Sequence, residues 1–432
     1  MSQISVLRFG GSEPDLPLAV HEIYREWRRG RRVLAVVSES GCTADDLLKR
    51  AQQLGLPPRW EGLAALLTLA LDRSGIPATL LDSTQTGPAG APTVAVISSR
   101  GACPVPPAPS APDRPPLQVA LLGCGTVGGG VLARLLASPE LFQVTGVAVR
   151  ALGRARLPAV PRGLLTGDPA ALVEREADVV VELLGGREPA RSLIARALDR
   201  GRHVVTANKA LLADEMEILA GLAARRGVSL RYSAAVGGAL PALETVRRAA
   251  ASGRVRGIAG VLNGTCNFIL DRRAAGDSFA EALTLARDAG YAEADPTLDL
   301  DGSDAAQKLA LLIREAFGKV VPWESIPRRG IADLDERALA EAARKGRKIR
   351  LVASCERMAT GLRACVQPFD LPPDHPFAET AGAGNALLVE LEGGDRIRIA
   401  ARGAGRWPTT EAVLADLHDL ATEAAEIEEV VA

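Results

Sequence analysis

Five carboxylates, Glu293, Asp295, Asp299, Asp301 and Asp304, crowd into twelve residues, and a single lysine, Lys308, follows the last of them by four positions. On a helix a four-residue offset brings two side chains to one face, so Asp304 and Lys308 form a pair. The residues beyond them set where the lysine lies. Leu309, Leu312, Ile313, Ala316 and Phe317 supply an apolar stripe, with Ser303 as the expected N-cap, which places Lys308 at the edge of the core. A cation there can give a proton or a hydrogen bond to an oxygen that gains charge during a reaction. Spacing alone does not separate that role from an ordinary ion pair behind a solvated acidic loop.

A second stretch carries a different chemistry. In LQVALLGCGTVGGGVLARLLASPELFQVTGVAV an apolar strand at 117–122 enters Gly123-Cys124-Gly125-Thr126-Val127-Gly128, a helix follows to about 137, and a second strand spans 143–149. Three glycines at this spacing, inside a β-α-β unit of about thirty residues, fit a dinucleotide site. The glycines let the backbone approach a pyrophosphate, and the helix start offers unpaired N–H groups and partial positive charge. At the end of the second strand, where an NAD-selective site carries an acid, stands Arg150, with Arg154 and Arg156 beyond. That favours a 2′-phosphate, so NADP(H) is the expected cofactor and NAD(H) the alternative.

The elements that must position these groups follow in order. ADVVVELLGG (177–186) reads as a strand ending in Gly185-Gly186, and HVVTANKALLA (203–213) as one ending in Thr206-Ala207-Asn208-Lys209. Open α/β sheets bind ligands at such carboxyl ends. Lys209 opens a helix, where its charge opposes the local dipole and hints at a task other than stability. SLRYSAAVGGALPALE reads as a strand, a glycine turn and a helix from Pro241; GVLNGTCNFIL reads as a strand with an embedded Asn263-Gly264-Thr265-Cys266-Asn267 corner.

Composition narrows the function classes. The chain has 432 residues, 47% hydrophobic, 24% charged and 3% aromatic, with a formal net charge of −1. This is globular composition with room for two or three domains and no charge-based reason to expect nucleic acid or a membrane surface as a partner. No apolar run is long enough to span a bilayer, and MSQISVLRFGGS lacks a signal peptide, so a soluble cytoplasmic protein is expected. Six cysteines (42, 103, 124, 266, 355, 365) form no Cys-x-x-Cys pair, so neither zinc nor a disulfide is expected.

Upstream, residues 3–8, 32–39 and a stretch near PATLL read as strands, with helices at 18–30 and about 61–74. RFGGS at 8–12 and VVSESGCTADDLL at 36–48 resemble the opening of aspartate kinases, with Arg8 where that family has lysine. The resemblance stops near residue 100, without the half that holds nucleotide, so residues 1–103 are read as a degenerate kinase-like module with a structural or interaction role and no kinase activity. PVPPAPSAPDRPP (104–116), with seven prolines, reads as a stiff linker.

ELLGG, TANK, AAVGGALP, GVLNGTCNFIL, GYAEADPTLDLDGSDAAQKLA and GAGRWPTTEAVLADL occur here in the order found in homoserine dehydrogenases, and together with the glycine motif this resemblance covers about 117–417. It implies an α/β protein with a Rossmann dinucleotide-binding domain (117–240), an α+β substrate and dimerisation domain (241–395), and a C-terminal segment (396–432) whose helix returns to the Rossmann domain. It implies reduction of L-aspartate 4-semialdehyde to L-homoserine, on the route to threonine and methionine, by a homodimer or homotetramer. Carried over residue by residue, the lysine acid/base falls on Lys308, its carboxylate partner on Asp304, and the lysine near the nicotinamide on Lys209. Substrate contacts fall on Glu293, Asp299, Gly264 and Thr265. Cofactor contacts fall on Gly123, Gly125, Thr126, Val127, Gly128, Arg150, Gly185, Thr206, Lys209 and Gly405. A monovalent cation site of backbone carbonyls would fall on Val236, Gly238 and Leu240, but Ser233 stands where the family has a glutamate side chain. Two competing readings are a non-catalytic NADPH-binding regulator and a bifunctional aspartate kinase–homoserine dehydrogenase. Threonine insensitivity is also expected, since the chain ends fifteen residues after Leu417.

Overall fold

The computed structural model describes residues 4–9, 16–38, 63–81, 94–99, 115–154, 160–403 and 405–431. The Gly10-Gly11 pair, most of VVSESGCTADDLL, all but the last two residues of the proline-rich run, Arg156, Cys42 and Cys103 lie outside them.

The N-terminal segment forms β1 (Ile4–Phe9), α1 (Leu16–Arg28), β2 (Arg32–Ser38), α2 (Leu63–Arg73), β3 (Ala78–Leu81) and β4 (Val94–Ser99). Its strands are parallel in the order β1-β2-β4-β3. The strand β4 is an element the sequence reading does not anticipate; VAVISS is too short a run to show a period. Helix α1 turns Leu16, Ala19, Val20, Ile23, Tyr24 and Trp27 inward. These side chains belong to one continuous core with residues of the later chain, so the segment has its own sheet but not its own separate interior.

Next come β5 (Leu117–Leu122), α3 (Thr126–Ala137), β6 (Phe142–Ala148), β7 (Leu165–Thr166), α4 (Pro169–Glu174), β8 (Val179–Glu182), α5 (Ala190–Asp199), β9 (His203–Thr206), α6 (Lys209–Arg226) and β10 (Leu230–Arg231). All six strands are parallel, in the order β10-β9-β8-β5-β6-β7. This is the doubly wound arrangement, with the reversal of winding between β5 and β8 opening a crevice at their carboxyl ends. Strand β8 is buried at every residue, as a parallel strand covered on both faces must be.

The third unit contains α7 (Ala242–Ser252), β11 (Val255–Val261), α8 (Gly264–Ala274), α9 (Phe279–Asp288), α10 (Thr297–Leu300), α11 (Ser303–Phe317), α12 (Glu336–Arg344), β12 (Lys348–Met358), β13 (Gly361–Leu371), β14 (Gly384–Leu391) and β15 (Arg396–Arg402). The five strands are antiparallel, in the order β13-β12-β11-β14-β15. Helix α13 (Arg406–Val431) then returns to pack on α3, close enough that a Cβ on Gly130 would lie 2.4 Å from Thr410 Oγ1.

Two local expectations are corrected. The stretch GVLNGTCNFIL is not one strand with a corner: β11 stops at Val261, and Asn263 caps α8 by accepting from the Cys266 N–H at 2.8 Å. Ser303 does not cap α11. Gly302, with φ 86°, holds the N-cap position, and Asp301 Oδ1 accepts from the Ser303 N–H at 2.8 Å. Among the described residues no helix is long and apolar enough to cross a membrane.

Candidate active site

The crevice at the β5/β8 boundary widens into a cavity of about 470 Å³, lined among others by Gly125, Thr126, Arg150, Arg154, Leu183 and Arg406. Each glycine of the motif has its own reason. Gly123 takes φ 101°, and a Cβ there would lie 2.6 Å from the Leu183 carbonyl oxygen; one on Gly128 would lie 2.2 Å from the Gly123 oxygen. These two close the turn against the sheet and the helix. A Cβ on Gly125 would meet nothing within 4 Å, so this residue faces the open cavity. The first amides of α3 and the Arg150 and Arg154 side chains border the same space, which fits a dinucleotide bearing phosphate.

Buried Glu182 shapes the rim. Its Oε1 accepts from the N–H groups of Leu184 (2.8 Å) and Gly185 (3.1 Å), and its Oε2 from the Thr206 hydroxyl (2.6 Å). Thr206 is fully buried and turned toward Glu182, so it holds the loop after β8 to the end of β9 rather than lining the cavity. Asn208 caps α6 through the Leu211 N–H and donates to the Gly186 carbonyl at 2.7 Å. Lys209 is thereby fixed as the first residue of α6.

From there Lys209 meets the acidic stretch. Its Nζ lies 3.0 Å from Asp304 Oδ1, while Lys308 Nζ donates to Asp304 Oδ2 at 2.7 Å and to the Leu262 carbonyl at 2.7 Å. One carboxylate thus holds two ammonium groups that come from two domains. Asn263 Nδ2 donates to Asp304 Oδ2 (2.8 Å) and Asp299 Oδ1 (2.7 Å). Burial alone would raise the Asp304 carboxyl, but the two lysines hold it well below the usual carboxylate range. Asp299 is pushed the other way, by burial and then by the Asp304 charge. Lys209 is held above its ordinary value, chiefly by Asp304.

The other expected residues divide. Glu293 is exposed, and its charge adds weakly to those that hold Lys209 above its ordinary value. Asp295 is engaged with the N–H and hydroxyl of Thr297, and Asp301 with α11, so these two shape the loop. A Cβ on Gly264 would lie 2.8 Å from the Ala383 oxygen, and the Thr265 hydroxyl donates to the Tyr291 carbonyl at 2.6 Å; both brace α8 behind the cluster. The carbonyl of Val127 faces Thr410, Gly185 takes φ 71°, and Gly405, at φ 117°, precedes the cavity-lining Arg406. Val236, Gly238 and Leu240 lie in the buried segment 232–240 between β10 and α7, in which the Ser233 hydroxyl accepts a hydrogen bond from Arg28 at 2.9 Å. Sequence reasoning misses Glu182, Asn263, Arg406 and Arg28. Only Asn263 leaves a trace, as an asparagine before Gly-Thr in helix-capping position.

Comparison with known proteins agrees with this arrangement. Residues 241–418 match the homoserine dehydrogenase family model, and residues 123–233 match the model of the homoserine dehydrogenase NAD-binding domain. The chain is 40% identical over 316 residues to the homoserine dehydrogenase of Corynebacterium glutamicum, spanning 69% of this chain and 70% of that one. Among solved structures, a homoserine dehydrogenase from Thiobacillus denitrificans superposes with a TM-score of 0.67 at 39% identity, over 71% of this chain and 73% of that one. One from S. aureus gives 0.63 at 31% identity, over 71% and 78%. With its doubly wound cofactor domain, antiparallel second domain and matched ranges, the chain belongs to the homoserine dehydrogenases, NAD(P)-dependent oxidoreductases that interconvert L-aspartate 4-semialdehyde and L-homoserine.

Proposed function

We propose that Lys308 gives the proton, or the hydrogen bond, that the substrate oxygen needs as the aldehyde is reduced. The observation that carries this is the pair of lysines on opposite oxygens of buried Asp304. An ammonium has three donors; Leu262 and Asp304 take two from Lys308, and the third is left for substrate. Asp304 holds both ammonium groups in place. Lys209, on the first turn of α6, reaches from the cofactor domain and can bind the substrate carboxylate. Glu293 and Asp299 are suited to its α-ammonium. When bound, the nicotinamide cofactor contributes hydride chemistry; Gly123, Gly125, Thr126, Arg150 and Arg154 would hold its phosphates. The assay that tests the reading is homoserine oxidation with NADP⁺ and NAD⁺ side by side, and no turnover with either would sink it. A non-catalytic cofactor-binding regulator has less support, since both lysines and their carboxylate are assembled.

The phosphorylated cofactor is preferred in this reading, because Arg150 lines the cavity two residues beyond β6, where an acid would repel a 2′-phosphate. Arg150→Ala is expected to raise KM for NADPH about tenfold more than for NADH, as a charged hydrogen bond contributes ~1.5–3 kcal/mol. Equal changes in both constants would mean that Arg150 does not read the 2′-phosphate. We keep the expected boundaries at 116 and 240 and move the one at 395 to the end of β15, Arg402, because β15 pairs with β14 in the antiparallel sheet. The family resemblance supports a homodimer or homotetramer in the cytoplasm, the size being open to light scattering. We read residues 1–103 as kinase-like in descent only, on the strength of Arg8 in place of lysine. No ADP should form from ATP and aspartate above background, and clear ADP formation would refute this.

A further inference from the structure

The N-terminal segment enters the dehydrogenase through one side chain. Arg28, the last residue of α1, is only 5% exposed along its side chain, and acceptors from three later elements surround its guanidinium. Its Nε donates to Glu244 Oε1 on α7 at 2.9 Å. Its Nη2 donates to Ser233 Oγ at 2.9 Å and to Asp416 Oδ1 on α13 at 2.5 Å, and Nη1 lies 3.3 Å from Asp419 Oδ2. Ser233 is bound in turn: its hydroxyl lies 2.5 Å from Glu244 Oε1 and 2.8 Å from Asp416 Oδ1, and its N–H donates to Asp416 Oδ2 at 3.0 Å. Asp416 is fully buried. Two carboxylates in such surroundings need a positive charge between them, and Arg28 is the cation that contacts both; Arg247 and Arg248, close to Glu244 in sequence, are bonded to Glu315 and to the Arg28 carbonyl.

Two further contacts seat the segment at the same place. Arg248 on α7 donates to the Arg28 carbonyl at 2.5 Å, satisfying the end of α1. Gly75, at φ 81°, comes so close that a Cβ would lie 2.9 Å from Ala239 Cβ and 3.2 Å from Pro408 Cγ. Ser233 and Ala239 bound the connection between the cofactor domain, which carries Lys209, and α7, which packs on α11 with Asp304 and Lys308.

We propose that Arg28 is a built-in cation of the dehydrogenase, a positioning residue that neutralises Glu244 and Asp416 and so fixes the connection that sets the cofactor cavity against α11. The N-terminal segment is then a working part of the enzyme and not a dispensable appendage. In full-length protein, Arg28→Ala should lower kcat/KM for homoserine by about 10- to 100-fold, the scale of a misplaced reacting pair. Guanidinium ion at tens of millimolar should restore a substantial part of that loss, whereas urea, of the same shape without the charge, should restore none. Unchanged activity in Arg28→Ala, absence of rescue, or equal rescue by both solutes overturns the inference. Should Arg28→Ala fail to fold, Arg28→Lys and Arg28→Gln take its place. Activity in the lysine variant within about threefold of normal, with loss in the glutamine variant, supports the role, and equal losses overturn it. The unmodified protein, assayed alongside, separates a failure of the dehydrogenase reading from a failure of this one.

Discussion

Replacing Lys308 by alanine should lower kcat by roughly 10²–10⁴-fold, the contribution of a positioned general acid, and leave cofactor affinity nearly intact. The geometry gives the reason. Lys308 Nζ is anchored by Leu262 O and Asp304 Oδ2, each at 2.7 Å, so its remaining donor has a fixed direction. No bond to the cofactor cavity runs through this side chain, and titration with NADPH should read the same Kd in variant and parent. The companion variant is Lys209→Ala, whose ammonium touches the same carboxylate from the cofactor domain. If Lys308→Ala turned over within threefold of the parent while Lys209→Ala did not, the acid would be Lys209. Asp301→Ala should be milder than either, because Asp301 serves the first turn of α11 and not the cluster.

Asp304→Ala should damage both turnover and stability. It would leave two ammonium groups and the Asn263 amide facing a void where one carboxylate satisfied all three. Breaking a buried pair costs about 3–5 kcal/mol, and the lower end applies here since Lys209 is partly exposed. Asp304→Asn fills the space and isolates the charge. Asp304 has a depressed carboxyl in the folded protein, so its share of stability is present above the ordinary carboxylate value and is lost as pH falls through the lower, folded-state value. The Tm gap between parent and Asp304→Asn should therefore be widest near neutrality and narrow in acid below about pH 4, where the unfolded carboxyl begins to bind its proton. A gap constant from pH 7 to pH 3 would show that the lysines do not set the Asp304 charge.

The pair at 304 and 308 was legible because helical spacing is local, and the cofactor crevice because a glycine turn between strand and helix is local too. Lys209 was visible for the same reason, as a cation opening a helix. What sequence could not show depends on segments meeting in space. Asn263 reaches Asp304 across 41 residues, and Glu182 reaches Thr206 across 24. Glu182 looks like the end of an apolar strand until the loop folds over it. The cap of α11 was misassigned because serine is the commoner signal, whereas the tight turn required a positive φ at Gly302. Arg28 lies in a run of arginines at the end of an amphipathic helix, a pattern that reads as solvated surface; only the fold shows that one of them turns inward.

The contacts between α1 and α13 join residues 388 and 390 positions apart, nearly the full length of the chain. At a synthesis rate of about 5–20 residues per second, one side of this interface waits roughly 20–80 s for the other to be made. During that interval the apolar face of α1 and the Arg28 side chain have no partner from α13, so a segment made early is completed late. Its own parallel sheet can form early, but its docking waits for α13. Premature termination anywhere before α13 would release a polypeptide with this seam open, whatever the state of the domains between.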